Sequence, residues 1–297
     1  MIGLTLKHMR YFAALASHRH FRRAAEACAI SQPALSLQIK ELETMLGSPL
    51  VERTARQVHL TTLGEDFLAR VQEILIQVDD LEDLVRSSND APSGRLRLGI
   101  IPTVAPYLLP EIIKALGARF PGLEVQPRET ITTSLVAGLL ASRLDAAIVA
   151  LPISEASLRE FALFQEEFYL VRPSSEAGKP VPSPSKLQAM RLLLLEEGHC
   201  FRDQALSFCD TMGRRPQHIM EGSSLSTLVQ MVSAGIGATL IPEMALPFET
   251  RSADVAVSKF PAPGPSRTIG MIWRNTNPLA EQLMTIGSII RKVAEDQ

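Results

Sequence analysis

Cysteine is scarce: three in 297 residues, too few for a disulfide framework. In a reducing compartment such thiols are ordinarily buried and inert, so any pair that departs from that habit is a redox candidate. Long apolar runs are absent. No stretch reaches the roughly 18 residues a membrane-spanning helix needs, so no membrane partner is expected. The opening MIGLTLKHMRYF has no basic start, apolar stretch or small-residue cleavage site. No secretory signal is therefore expected, and the expected compartment is the cytoplasm. Internal repeats and long low-complexity tracts are absent too. Charged residues make up 21% and hydrophobic residues 46%, which excludes a disordered chain and allows a sizeable core.

The small net charge of −2 conceals an asymmetry. Residues 1–62 hold eight Lys and Arg against four Asp and Glu, and residues 63–90 hold two against eight. Four of the six histidines also fall in the first segment: His8, His18, His20 and His59. A small basic segment suits phosphate contact, although a solvated basic face has the same composition.

Residues 6–17 carry Met9, Phe12, Ala13 and Ala16 at helical spacing. A short alanine-rich helix over 21–28 follows, then a turn at Ala29-Ile30-Ser31. Ser31 is placed to cap the next helix and Pro33 falls in its first turn. Leu35, Ile39, Leu42 and Leu46 line one face of that helix, and Gly47 ends it. Residues 51–61 suit a two-stranded wing. From Thr62 to about Ser87, Phe67, Val71, Ile74, Val78, Leu81 and Val85 form a coiled-coil seam. Its apolar stripe favours dimerisation over packing on its own domain.

Ala91-Pro92-Ser93-Gly94 breaks the pattern and marks a domain boundary. Beyond it, strands over 96–101, 123–129, 146–151, 192–195, 218–221, 238–241 and 268–273 alternate with helices near 106–119, 133–141, 202–212, 225–234 and from 278. That alternation argues for mainly parallel sheets covered by helices, with room for two lobes. Ligands in such folds bind beyond strand ends, near helix N-termini.

The order of short helix, turn and amphipathic helix over 20–46 is that of a helix-turn-helix. Its second helix would enter the major groove of double-stranded DNA N-terminus first. Ser31, Gln32, Pro33 and Ser36 are the candidates for base edges. Arg22, Arg23, Lys40, Arg53 and Arg56 are candidates for phosphates. The run AAEACAISQPALSLQIKELETMLGSPLVERTARQVHLTTLGE resembles the signature of LysR-type transcriptional regulators. The resemblance implies a winged helix-turn-helix over 1–62, a linker and dimerisation helix over 63–90, and an α/β regulatory domain over 91–297. That domain would be periplasmic-binding-protein-like, with one lobe of about 92–166 and 267–297 and another of about 167–266. It also implies a tetramer, as a dimer of dimers, and contact with RNA polymerase.

Cys200 and Cys209 lie in GHCFRDQALSFC. A peroxide-reactive thiol needs surroundings that favour the thiolate. His199, Arg202 and the start of a helix near Arg202 are the local candidates. Oxidation to a sulfenic acid can be followed by condensation with a second thiol. A continuous helix would hold the two cysteines about 13 Å apart, and a disulfide needs Cα atoms within about 7 Å. The bond would therefore require the segment to unwind. Spacing alone favours two buried packing residues over a redox pair. His199, Cys200 and Cys209 lack a fourth ligand at metal-site spacing, so neither metal nor other cofactor is expected. Cys28 reads as a small core residue.

GHCFRDQALSFC is similar to the sensing segment of the OxyR group of hydrogen peroxide-responsive activators within the LysR-type family. HRHFRRAAEACAISQPALS, IPTVAPYLLPEII and PSRTIGMIWR resemble that group as well. The resemblance implies a transcriptional regulator of oxidative-stress defence genes, with Cys200 the peroxidatic and Cys209 the resolving thiol, returned to the reduced state by a cellular thiol reductant. It implies that Thr103, Thr132, His199, Asp203 and Arg267 surround hydrogen peroxide. Thr103 serves equally as a helix cap, and Arg267 as half of a structural ion pair. Two other readings compete. One is a regulator answering a small organic co-inducer, with inert cysteines. The other is a thiol peroxidase, against which the helix-turn-helix argues.

Overall fold

The computed structural model describes residues 3–53, 58–87, 91–183, 186–187, 190–209 and 219–296. The chain divides into two compact units, one ending at Val85 and the other beginning at Arg86.

The first unit is built on helices α1 (Leu6–His18), α2 (Phe21–Ala27) and α3 (Gln32–Leu46). Phe12, Leu15, Ala24, Ala25, Leu35, Ile39 and Leu42 are buried at their centre. Ser31 caps α3 by accepting from the Ala34 N–H at 3.3 Å, and Gly47 closes it in the left-handed region at φ 72°. Strands β1 (Val51–Arg53) and β2 (Val58–Leu60) pair antiparallel as the wing. Glu43 ties α3 to that wing by accepting from the N–H groups of Leu50 and Val51 at 2.8 and 3.1 Å. Helix α4 (Thr62–Ser87) follows. Its early apolar residues turn inward, where Phe67 packs on Phe12 with ring centroids 5.5 Å apart and Val71 is buried. Ile74 and Leu81 of the same stripe stay exposed. The side chain of Val85 lies outside the described residues.

The second unit has two cores on one continuous sheet. Strands β3 (Gly94–Ile100), β4 (Leu123–Glu129) and β5 (Ala146–Leu151) run parallel. With helices α5 (Ala105–Arg119) and α6 (Thr132–Leu140) and the C-terminal α10 (Ala280–Glu295), they enclose the first lobe's core. Strands β7 (Leu192–Leu195), β8 (Ile219–Gly222) and β9 (Ala238–Pro242) are parallel in the second lobe. Helices α7 (Cys200–Cys209) and α8 (Leu225–Ser233), with the single turn α9 (Leu246–Glu249), accompany them.

The join is a long strand, β6 (Leu158–Pro173). Its first part pairs antiparallel with β11 (Ser266–Arg274), and its last part with β9 and β10 (Val255–Lys259). The sheets are therefore mixed where mainly parallel ones were expected. A strand that leaves one lobe and a strand that returns to it run against their neighbours without a crossover helix. Neither β6 nor β10 was predicted from the sequence. Tyr107 of α5 adds a second link, since it is buried in the second lobe's core and donates to Glu249 Oε1 at 2.7 Å.

Candidate functional sites

Helix α3 presents two unlike faces. Leu35, Ile39 and Leu42 point into the core, while Ser31, Gln32, Pro33 and Lys40 are exposed and Ser36 is half-buried. Leu37, not foreseen as part of this surface, is 56% exposed and offers apolar contact on the same helix. Arg22 and Arg23 are exposed on α2. Arg22 pairs with Glu26 at 3.0 Å between two highly exposed side chains, a contact of little energetic worth that a phosphate can displace. Arg53 ends β1, but its side chain lies outside the described residues, as does all of Arg56.

The second site is a small recess between the lobes. Ile101, Pro102, Thr103, Ile131 and Thr132 contribute from the first lobe, and His199, Cys200 and Phe201 from the second. Three helix N-termini meet here. Thr103 lies in the turn before α5, Thr132 is the first residue of α6, and Cys200 is the first residue of α7. Gly198 makes the meeting close. It sits at φ 94°, and a Cβ on it would lie 2.8 Å from Ile131 Cδ1, so only glycine fits without displacement. Cys200 is half-buried and packs against the first lobe's core, whereas its neighbour Phe201 is buried in the second lobe's.

Arg267 stands one bond behind this recess. It faces Glu166 directly across the β6–β11 ladder. Its Nε donates to Glu166 Oε1 at 2.7 Å, its Nη1 to Thr103 Oγ1 at 2.8 Å and its Nη2 to the Thr103 carbonyl at 3.1 Å. Both members of the ion pair are almost wholly buried. The guanidinium also lies over the Phe201 ring at 5.3 Å, a favourable cation–π distance. Burial pushes the Glu166 carboxyl up, against the downward pull of Arg267.

The hydroxyls have a definite polarity. Thr103 Oγ1 accepts from a permanent cation, which leaves its own proton to donate. Thr132 Oγ1 is buried and has no hydrogen-bond partner among the described residues. Such an atom carries a desolvation cost that a small polar guest can relieve.

The remaining predicted residues fall as follows. His199 lines the recess, and burial lowers its pKa, opposed by Glu196, so it does not serve as a standing cation beside the thiol. Arg202 is committed elsewhere, donating to Glu221 at 2.6 Å and to the Leu195 carbonyl at 3.0 Å. Asp203 is exposed and lines an outer depression with Glu197 and Arg202 rather than the recess. It lies in the first turn of α7, which begins at Cys200 and not near Arg202 as predicted, and its side chain turns to solvent. Glu166 and Phe201 were not foreseen. No local spacing signals Glu166, because it lies 101 positions from Arg267 and only strand register unites them.

A helix-turn-helix head joined to a two-lobed effector domain with a thiol-bearing recess defines a ligand- or redox-responsive transcription regulator. Residues 6–65 match the family of bacterial regulatory helix-turn-helix proteins of the lysR type, and residues 89–293 match the LysR substrate binding domain. A probable hydrogen peroxide-inducible genes activator of Streptomyces viridosporus is 40% identical, over 98% of this chain and 95% of its own. The DNA-binding transcriptional dual regulator OxyR of Escherichia coli is 39% identical over 97% and 95%. Among solved structures, a full-length OxyR variant from Pseudomonas aeruginosa superposes with a TM-score of 0.76 at 36% identity, covering 97% of this chain and 95% of that one. A hydrogen peroxide-bound variant of Corynebacterium glutamicum OxyR gives 0.68 at 33% identity, over 98% and 93%. The chain belongs to the lysR family and, within it, to the OxyR group.

Proposed function

We propose that this protein is a hydrogen peroxide-sensing, DNA-binding transcriptional regulator whose switch is the thiol pair Cys200 and Cys209. The observation that carries the reading is the recess itself. A half-buried thiol at a helix start shares it with one hydroxyl whose proton is free to donate and another that has no partner among the described residues.

The chemistry runs in two steps. The Cys200 thiolate attacks one peroxide oxygen, the O–O bond breaks, and hydroxide leaves with the bonding pair as Cys200 becomes a sulfenic acid. Thr103, polarised by Arg267, and Thr132 hold the peroxide oxygens and the charge that develops on the leaving one. The Cys209 thiol then attacks the sulfenic sulfur and water departs, giving a disulfide. Helix α7 is continuous from Cys200 to Cys209, which sets the Cα atoms about 13 Å apart against a limit of about 7 Å. The second step therefore requires α7 to open. Asp203, on the first turn of that helix, is carried with it. Chemistry at one sulfur becomes a backbone change that biases a two-state regulatory unit.

Residues 1–62 are assigned to reading double-stranded DNA. Ser31, Gln32, Pro33 and Ser36 would face base edges, and Arg22, Arg23, Lys40, Arg53 and Arg56 phosphates. The exposed Ile74 and Leu81 of α4 support dimerisation through that helix, with a dimer of dimers as the working assembly. RNA polymerase and a cellular thiol reductant are the further partners, the compartment is the cytoplasm, and the protein is a switch and not an enzyme. Among the described residues no helix is long and apolar enough to cross a membrane.

The test is a reporter gene behind a promoter the protein binds, with Cys200→Ser beside the unmodified chain. Peroxide induction that disappears in Cys200→Ser, with promoter binding kept, is the expected result. Full induction in the variant would hand the function to a co-inducer and leave the cysteines inert.

A further inference from the structure

A second and larger cavity, of about 530 Å³, opens beside β6, the turn leading into α9, and the end of α10. It falls within the size range of small-molecule sites, and the thiol chemistry makes no use of it. Phe164, Met244, Pro247 and Phe248 supply apolar surface, and Glu166 and Glu243 supply carboxylates; among the described residues no Lys, Arg or His lines it. Phe248 packs one side of its ring on Tyr107, with centroids 5.4 Å apart, yet remains 57% exposed, an uncommon position for a phenylalanine.

The carboxylates are under-used on this side. Glu166 spends Oε1 on Arg267, while Oε2 receives only a long bond from the Met244 N–H at 3.4 Å. Glu243 accepts a long bond from the Tyr169 hydroxyl at 3.3 Å. The nearby cation, Lys259, is held by Glu167 and lies over the Tyr169 ring. The Glu243 carboxylate and the second oxygen of Glu166, beside the exposed Phe248 ring and the half-buried Phe164 ring, favour a positive charge on an apolar body, through carboxylate pairing and the faces of the rings. An anion would meet repulsion from Glu243.

We propose that this cavity binds a small organic cation, an amine or guanidine carried on an aromatic or branched aliphatic group. Glu166 belongs to both sites. An ammonium drawn to its Oε2 competes with Arg267 for the carboxylate, and Arg267 in turn holds Thr103 in the thiol recess. The bound cation would thereby tune the reactivity of Cys200.

The test is calorimetric titration of the reduced full-length protein with phenethylammonium, with 2-phenylethanol and phenylpropanoate as its neutral and anionic counterparts. Phenethylammonium is expected to bind about ten-fold more tightly than the alcohol, and Phe248→Ala and Glu243→Gln each to weaken it about five-fold. Equal affinity for ammonium and alcohol, preference for the carboxylate, no binding of any of the three, or indifference to both substitutions would overturn the site. The link to the thiol is read separately, as the rate of Cys200 alkylation by iodoacetamide. Saturating phenethylammonium is expected to change that rate at least two-fold in the unmodified chain and to leave it unchanged in Phe248→Ala. An unaltered rate in the unmodified chain would remove the link. Peroxide enters no arm, so either failure leaves the peroxide reading untouched.

Discussion

A threonine hydroxyl that accepts from a buried guanidinium has one proton left to give, and the proposed chemistry directs that hydrogen bond to the reacting peroxide. Thr103→Val keeps the shape and removes the donor. It is expected to slow Cys200 oxidation about 100-fold, the usual cost of losing one donor to developing oxygen charge, as read by stopped-flow thiol trapping, and to lower stability by about 1–3 kcal/mol because the buried Arg267 Nη1 loses its acceptor. Glu166 acts at one remove. Glu166→Gln leaves Arg267, 3% exposed, without its counter-charge. Denaturant unfolding of the full chain is expected to show a loss of about 3–5 kcal/mol, the cost of breaking a buried pair from one side. His199 gives a pH dependence with a definite sign. Its folded pKa lies below the unfolded value of about 6.5, so the unfolded chain takes up the proton first. The stability His199 contributes is present above that value and is lost as pH falls through it. His199→Asn is expected to flatten the fall in stability between about pH 7 and pH 5; an identical slope would remove burial of the neutral ring from the account.

At the scale of elements, the proposed switch is α7, and on that proposal its anchorage sets how readily it opens. Phe201 and Ala205 hold its first turns in the second lobe's core, and Phe208 packs edge-on against Phe260 with centroids 5.0 Å apart. Opening the helix near Cys209 must break that ring contact. Phe208→Ala is expected to raise the rate of the second, disulfide-forming step several-fold while leaving the first unchanged, because an aromatic pair is worth about 0.5–1.5 kcal/mol. Loss of reactivity at Cys200 itself would show instead that Phe208 holds the recess together.

The same elements show what a sequence can carry. Helices α5, α6 and α8 stand within about a residue or two of their predicted ends, because apolar spacing and flanking breakers are local signals. Strand β6 escaped because LREFALFQEEFYLVRP mixes a half-exposed stretch with a buried one and places Glu166 in the core, where its partner comes from β11. The start of α7 was misplaced because Gly198, in a left-handed turn, lets the helix begin at Cys200. The cysteine pair stood out through resemblance, since its spacing alone favours two packing residues. The Glu166–Arg267–Thr103 chain was illegible, because only strand register brings its members together.

For the whole molecule, the account requires that oxidation at one recess alter how copies of the chain are arranged on DNA. The basic head, the exposed end of the α4 stripe and the opening of α7 are the parts it uses. All of them depend on one covalent event. The most direct measurement is rapid thiol trapping and mass spectrometry of the reduced full-length protein after about one equivalent of peroxide, the stoichiometry of a single thiol oxidation. The account predicts a Cys200–Cys209 disulfide that forms quickly, is absent in Cys200→Ser, and is preceded in Cys209→Ser by a persistent sulfenic acid on Cys200. Free thiols at both positions in folded, DNA-binding protein would contradict it.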